Sequence, residues 1–366
     1  MSFSDETPLG ESSHSVMSYA HNSLRNCPYP CGLTNLGNTC FLNSCVQLLN
    51  AIHELADIPL DFPLSETPSD DQRVFCDWLE LGEFMIGARG KMPNPVVTPG
   101  KFVNTIQNVA SIKGRELFTG WAQNDLPEFL LFMIECIHNS RKRKVHINIR
   151  GTIESNVDDL ALQCYSMLRD NYSRGDYSEV SDLLYGVYVS RLFTPDGNTL
   201  HSNKPESYCL LDLPIPLAKT SSISLLDCFD EFVANELLSG WLNEKTNQKE
   251  PVRKNIAFWS FPKILIIILK RYSPDGLRKN NALVDFPLDD LDLSKYVVGY
   301  KARSYKYTLI GVANHMGGVS GGHYTAFAKV SSPSEEWYCF NDSVVSTINQ
   351  SRVVSSSAYC LFYRKQ

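Results

Sequence analysis

A turn rich in Gly and Asn, residues 32–39, passes directly into an apolar periodic segment, and this junction constrains the fold more than any other feature. Apolar side chains recur at helical spacing over 41–55, which predicts an amphipathic helix with Cys40 in its first turn. The positive end of a helix dipole favours the nucleophilic thiolate, so this position should lower the pKa of the Cys40 thiol. Asn35 is placed to direct its amide N–H at an oxyanion forming beside the sulfur. A single cysteine on a helix is more often a small buried hydrophobe, so this segment alone does not establish catalysis.

A second segment far downstream supplies a histidine. Two glycines lead into alternating residues, which predicts a mobile loop over Gly317–Gly322 and a strand that begins at His323. An aromatic strand follows and ends in Asn341 and Asp342, and a hairpin of the two strands would place one of these beside His323. Each residue alone fits an ordinary strand or turn position. Together with Cys40 they are the components of an activated-thiol triad.

Both segments resemble motifs of the ubiquitin-specific proteases. The first is similar to the family's Cys box, and the stretch from Asn314 to Asp342 is similar to its His box. Four further segments resemble family motifs and occur in the family's order: 123–130, 211–216, 261–272 and 358–363. The resemblance runs from about Pro30 and covers nearly the whole chain. It implies an α+β, papain-like cysteine protease fold with a helical thumb, a mixed β-sheet palm and β-rich fingers.

The resemblance implies a role for each residue of the triad and its surroundings. Cys40 takes the position of the nucleophile, and His323 that of the general base and later the general acid. Asn341 takes the third position, where it orients the imidazole. Asn35 matches the oxyanion-stabilising position, and Asp342 is expected to support the polar network.

The substrate expected from the resemblance is the C-terminal tail of ubiquitin. Asp125 is predicted to cap a helix, with Glu128 three residues later, and also to border the channel for this tail. The other residues predicted to contact the substrate are Gln123, Gly321, Gly322 and Tyr324. Glycines would let the Gly-Gly backbone of the tail pass with little obstruction.

The leading hypothesis is a thiol-dependent deubiquitinase that hydrolyses the isopeptide or peptide bond after the C-terminal glycine of ubiquitin through a thioester. Its partners would be ubiquitin and ubiquitinated proteins. Two alternatives stay open at this point: a catalytically silent ubiquitin-binding scaffold, and a protease for a ubiquitin-like modifier. A small-molecule cysteine hydrolase would not explain six family segments.

The cysteines argue against a metal site, and no cofactor is expected. Many members of the family hold a structural zinc in the fingers through two Cys-x-x-Cys pairs, and this sequence contains no such pair. Only Cys209 and Cys228 occur in the region expected to form the fingers, and a tetrahedral site needs four ligands. The fingers are therefore predicted to be held by strand pairing and packing.

Composition sets the remaining expectations. Eleven cysteines without a secretory signal predict free thiols in the cytoplasm, the nucleus or both. The longest apolar run, Ile264–Leu269, is too short to cross a membrane, and a net charge of −6 gives no reason to expect nucleic acid but suits a basic tail. The chain is expected to be a monomer with a disordered segment over 1–27 and one catalytic domain over 28–366.

Overall fold

The computed structural model describes residues 30–58, 67–89, 94–217, 222–243, 246–300, 305–318, 321–329 and 336–366. The segment 1–27, predicted to be disordered, and the domain boundary at residue 28 lie outside these residues. So does most of the predicted turn between the strand of His323 and that of Asn341.

The first part of the described chain is a helical subdomain, the thumb. Helix α1 begins at Cys40, as its apolar periodicity predicts, and α5 crosses beside it. Edge-to-face contact between Phe41 and Phe129, with ring centroids 5.3 Å apart, fixes the two helices against each other. The helices of the described residues are α1 Cys40–Ala51, α2 His53–Ala56, α3 Asp70–Arg89, α4 Gly100–Ile112, α5 Leu126–Arg141, α6 Asn156–Arg174, α7 Glu179–Leu184 and α8 Leu225–Phe232.

A mixed sheet, the palm, faces the thumb. The strands of the described residues are β1 Gly32–Leu33, β2 Val96–Val97, β3 Gly186–Phe193, β4 Leu200–Tyr208, β5 Leu210–Pro214, β6 Ile223–Ser224, β7 Glu236–Asn243, β8 Gln248–Ser260, β9 Ile264–Lys270, β10 Val284–Asp285, β11 Leu291–Asp292, β12 Lys306–Gly318, β13 Gly321–Lys329, β14 Trp337–Asn341, β15 Val344–Thr347 and β16 Ala358–Lys365. The palm has the order β15-β14-β13-β12-β16-β9-β5, with β11 also paired to β12. Pairing is antiparallel except between β5 and β9.

Helix α1 lies directly on the palm because of a glycine in β12. A Cβ at Gly311 would lie 2.6 Å from a methyl group of Leu48, so a larger residue there would push the helix away from the sheet. Because Gly311 leaves that space free, α1 also packs along β13. This contact brings the start of α1, and hence Cys40, against the strand that carries His323.

A separate four-stranded antiparallel sheet, with order β4-β3-β8-β7, forms the fingers. The rings of His201 on β4 and Trp241 on β7 are 5.3 Å apart although these are the two edge strands, so the sheet curls until its edges meet. Cys209 and Cys228 are buried in two different apolar clusters and do not share a site. Within the described ranges, no group of three or more His, Cys, Asp or Glu side chains could hold a metal ion.

The described helices are also too short or too polar for a lipid bilayer. None of them contains an apolar stretch long enough to span a membrane.

Candidate active site

The turn before Cys40 is built around the side chain of Asn35. Its Oδ1 accepts hydrogen bonds from the backbone N–H groups of Gly37 (2.9 Å) and Thr39 (3.2 Å), and from the Thr39 hydroxyl (3.2 Å). These bonds hold Gly37 and Asn38 at positive φ angles of 106° and 55°. The turn therefore ends with Cys40 as the first residue of α1. The side-chain oxygen Oδ1 of Asn35 thus accepts all three of these bonds within the turn, and the Nδ2 group of the side chain remains for other partners.

The thiol of Cys40 lies at the contact between α1 and β13. It is buried, and the backbone N–H groups of Tyr324 and Phe41 lie close enough to the sulfur to favour its charged form. Burial raises the pKa of the Cys40 thiol, and the negative charge of Asp342 raises it further, while the N–H donors oppose both effects. The prediction of a lowered pKa is therefore wrong for this state. The loss of hydration outweighs the N–H groups at the start of the helix.

His323 and Asn341 meet on adjacent strands of the palm. His323 Nε2 lies 2.6 Å from Asn341 Oδ1, with β13 and β14 paired as an antiparallel hairpin, as predicted. Because an amide oxygen only accepts, Nε2 carries the proton and Nδ1 keeps a free lone pair. Both Cys40 and His323 belong to the described residues, and no hydrogen bond joins their side chains in this state. The N–H of Tyr324, the residue after His323, lies beside the sulfur.

The side chain of Asp342 is hydrogen-bonded to the turn before Cys40 and to α1, and not to the imidazole of His323. Its carboxylate accepts hydrogen bonds from Nδ2 of Asn35 (2.9 Å) and Nδ2 of Asn43 (2.7 Å). Its backbone oxygen accepts from the N–H of Leu33 at 2.9 Å, and its φ angle is 51°. Of the two residues predicted as possible neighbours of His323, Asn341 is therefore the one that contacts it. Asp342 ties the end of β14 to the start of α1.

Replacing Asp342 with asparagine should lower the pKa of the Cys40 thiol, because the substitution removes a negative charge that disfavours the thiolate. Alkylation of Cys40 by iodoacetamide, followed by mass spectrometry of its peptide, should then begin at a lower pH than in the wild type. Cys45, fully buried on the same helix, is the internal control and should keep its profile. A Cys40 profile that is unchanged or displaced to higher pH would contradict this assignment.

The predicted substrate residues lie on both sides of a cleft that leads to Cys40. From the thumb, Gln123 Oε1 accepts a hydrogen bond from the N–H of Gly322 at 2.9 Å. Asp125 precedes α5, but its side chain makes no capping hydrogen bond. Its carboxylate instead accepts from the hydroxyls of Tyr324 (2.7 Å) and Tyr359 (3.3 Å), and burial raises its pKa. Asp125 therefore occupies the predicted N-cap position of α5, but its side chain does not cap the helix, because these two hydroxyls take its oxygens.

The glycines expected to form a mobile loop are largely part of the palm. Gly317 pairs with Gly322, and Gly318 pairs with Gly321, as the last pairs of the β12–β13 ladder. Residues 319 and 320 lie outside the described part of the chain. The mobile-loop prediction is wrong for the four paired residues, because strand hydrogen bonds hold them.

The cleft at Cys40 continues into a second groove. The first has a volume of about 340 Å³ and is lined by residues of both walls: Asn38, Cys40, Phe41, Gln123, Asn124, Asp125, Tyr272, Gly276, His315, Gly318, Gly321, Gly322 and Tyr324. The second, of about 530 Å³, shares Asp125 and Tyr272 with the first and adds the carboxylates of Glu128 and Asp212 and the cations Lys270 and Arg271. Asp212, Tyr272 and His315 were not singled out in the sequence. They lie within segments that resemble family motifs, and this resemblance was the only feature of the sequence that could have pointed to them.

A Ser–His–Asp arrangement outside the cleft has a structural role. His138 lies 2.8 Å from the hydroxyl of Ser178 and 3.1 Å from the carboxylate of Asp176. Ser178 is completely buried and caps α7 through the N–H of Ser181. A hydroxyl without access to solvent cannot attack a substrate, so this network holds α5 to α7.

The fold and the cleft define a class of protein. A cysteine at the start of a helix, packed against a sheet that carries a His–Asn pair, is the arrangement of a papain-like thiol hydrolase. The profile of the family described as ubiquitin carboxyl-terminal hydrolase matches residues 31–363, and the chain belongs to this family. The predicted family and the predicted papain-like α+β fold are both confirmed.

Individual relatives agree with the profile. The chain is 34% identical over 342 residues to ubiquitin carboxyl-terminal hydrolase 2 of Bos taurus, covering 91% of this chain and 54% of that protein. It is 33% identical over 348 residues to ubiquitin carboxyl-terminal hydrolase Usp2 of Drosophila melanogaster, covering 92% and 35%. It is 31% identical over 376 residues to ubiquitin carboxyl-terminal hydrolase 21 of Homo sapiens, covering 94% and 63%. The chain spans about half the length of the first of these relatives.

Solved structures share the fold. The SAGA Ubp8/Sgf11/Sus1/Sgf73 DUB module bound to ubiquitin aldehyde matches with a TM-score of 0.66 at 22% identity, over 93% of this chain and 70% of that one. The same module bound to monoubiquitin matches with a TM-score of 0.64 at 23% identity, with the same coverage. At this identity the two structures establish the fold alone.

Proposed function

We propose that this chain is a cysteine-type deubiquitinase that hydrolyses the bond after the C-terminal glycine of ubiquitin. One observation carries the proposal: Cys40 lies in a cleft walled by Gly321 and Gly322, and this cleft opens into a groove with three carboxylates. The glycine wall suits a substrate backbone without side chains near the scissile bond. The three carboxylates stand beside two cations, Lys270 and Arg271, and the small excess of negative charge suits a basic extended tail before the scissile bond.

The chemistry follows from the ring nitrogens of His323. Because the pKa of the resting Cys40 thiol is raised, the thiol needs a base at the moment of attack. Asn341 occupies Nε2, so Nδ1 is the nitrogen that accepts the proton. The sulfur attacks the glycine carbonyl, and the protonated imidazole then gives its proton to the departing lysine amine. Water hydrolyses the thioester and restores the thiol.

Two amide groups complete this mechanism. Asn35 donates one Nδ2 hydrogen to Asp342 and retains the other, which we assign to the oxyanion. Asp342 therefore acts through Asn35, by holding the amide to which we assign this role. The Asn341 oxygen fixes the tautomer of His323 but lacks the charge with which a carboxylate would stabilise imidazolium.

The wider assignments are part of the same proposal. We assign the chain to the cytoplasm or nucleus and propose that it acts as a monomer with a single catalytic domain and no cofactor. The free state of the described cysteines supports a reducing compartment. Ubiquitin is the proposed partner, in keeping with the names of the relatives and with the ubiquitin-bound structures of the same fold.

A ubiquitin vinyl-sulfone reagent tests the proposal directly. Purified protein should gain the mass of one ubiquitin, and peptide mapping should locate the adduct on Cys40. Matched reagents made from ubiquitin-like modifiers, run in parallel, should react at least about tenfold more slowly if ubiquitin is the substrate. Binding of ubiquitin without adduct would instead support the silent scaffold, and preferential reaction with another modifier would reassign the substrate.

A further inference from the structure

A second histidine, His315, lies in the cleft beside Cys40. It is on β12, with only 4% of its surface exposed, and it lines the same cavity as the thiol. A Cβ placed on Gly322 would overlap its Nε2 atom, so the edge of the imidazole lies directly against the glycine wall. The mechanism described above does not use this ring.

Lys279 determines which nitrogen of His315 carries the proton. Its ammonium contacts three acceptors: His315 Nδ1 at 2.8 Å, the His315 backbone oxygen at 2.8 Å and the Gly317 backbone oxygen at 3.2 Å. An ammonium has three N–H donors and cannot accept, so Nδ1 must be unprotonated. The hydroxyl of Tyr272 lies 2.8 Å from the same nitrogen. The proton of the neutral ring is therefore on Nε2.

The N–H at Nε2 lies at the cleft, beside Gly322. Among the described residues it has no hydrogen-bond partner, and it is not one of the fully enclosed polar atoms that lack one. A donor of fixed orientation thus borders a passage whose other wall is formed by Gln123, Asn124 and Asp125 of the thumb. An extended chain in this passage would present backbone carbonyl oxygens to it.

We propose that His315 Nε2–H donates a hydrogen bond to a backbone carbonyl of the substrate tail, and that Lys279 is a positioning residue that fixes the tautomer needed for this bond. The inference rests on the proposed function, because the tail must run through the cleft toward Cys40. It adds a substrate-binding residue and the residue that orients it.

The surroundings of His315 keep the ring neutral. Burial lowers its pKa to about 4, and the positive charge of Lys279 contributes to this shift. The titratable groups that face it from the packed elements are Lys279 and Tyr272 after β9, Tyr324 on β13, Tyr359 on β16, and Asp125, which is bonded to both of the last two. Across the range in which the enzyme is assayed, the donor at Nε2 is then constant.

Replacing His315 with phenylalanine keeps a ring and removes the donor. With a ubiquitin–fluorophore conjugate, KM should rise about tenfold and kcat should change by less than about threefold, because the bond is made equally in the ground and transition states. His315→Gln restores an N–H donor and should bring KM back to within about threefold of the wild type. Thermal unfolding of both variants identifies any loss of folded protein.

The variant Lys279→Met distinguishes a positioning role of Lys279 from a purely structural one, because only a positioning role predicts a change in the tautomer of His315. Long-range ¹H–¹⁵N spectra, assigned by comparison with His315→Gln, should show Nδ1 of the wild-type ring unprotonated and Nε2 protonated. In Lys279→Met the Nδ1-protonated tautomer should appear, and KM should rise with it. The inference is overturned if the wild-type His315 ring is protonated on Nδ1, or if KM is unchanged in His315→Phe. Cleavage of the conjugate by the wild type would still support the proposed function in either case. A wild type that neither cleaves the conjugate nor reacts with the vinyl sulfone overturns both.

Discussion

Replacing Cys40 with alanine should reduce hydrolysis of a ubiquitin–fluorophore conjugate by at least about 10⁴-fold, because Cys40 is the one thiol among the described residues that line the cleft. Binding of ubiquitin should remain, since the side chain is small and lies at the end of the channel. Fluorescence release measures the first quantity, and titration with labelled ubiquitin measures the second.

Cys45→Ala is the matched control for this substitution. Cys45 lies on the same helix, is fully buried, and burial strongly raises its pKa, so it contributes packing and no nucleophile. Its replacement should leave turnover within about threefold of the wild type and cost some thermal stability. Turnover by Cys40→Ala at the rate of Cys45→Ala would end the proposed mechanism.

Gly322→Ala should lower kcat/KM for the same conjugate by at least about 100-fold, since small displacements in an active site have effects of this size. The new methyl group would overlap both His315 Nε2 and the backbone oxygen of Met316. Met316 is paired with His323 across the hairpin, so relief of the overlap must move the strand that carries the imidazole proposed as the base. The loss should appear in kcat as well as in KM.

Gly318→Ala tests whether the position, and not glycine in general, is responsible. It lies on the same hairpin, paired with Gly321, and a Cβ there meets no atom of the described residues within 4 Å. Its kcat/KM should stay within about threefold of the wild type. Equal losses in the two variants would mean that the hairpin requires glycine for flexibility and not for space. Melting temperatures of both should accompany the kinetics.

The parts of the fold that the sequence predicted are those with a strong local pattern. The start of α1 at Cys40 follows from the change between a Gly/Asn turn and apolar periodicity. The buried strand β9 follows from its unbroken run of Ile and Leu. The curl of the fingers was not predictable, because the contact between His201 and Trp241 joins two edge strands and leaves no local signal.

The candidate site was predicted in its residues but less well in their interactions. Cys40, His323 and Asn341 were identified, yet the direction of the thiol pKa was not, because burial depends on how α1 packs on β13. Asp125 carries the sequence signature of a helix cap, but distant tyrosines bind its carboxylate instead. The bond between Lys279 and His315 arises from a loop and a strand that are adjacent only after folding.

Strand β16 has a consequence for how the molecule is made. It contains residues 358–365, yet it lies inside the palm, between β12 and β9. Until these residues have been synthesised and inserted, β12 and the hairpin that bears the imidazole have no neighbour on that side. A ribosome-bound intermediate that stops short of β16 would expose two unpaired strand edges and have no assembled catalytic centre. Hydrolytic competence should therefore arise only after β16 has been synthesised and paired, and such long-range strand pairing is the slow type of contact to form.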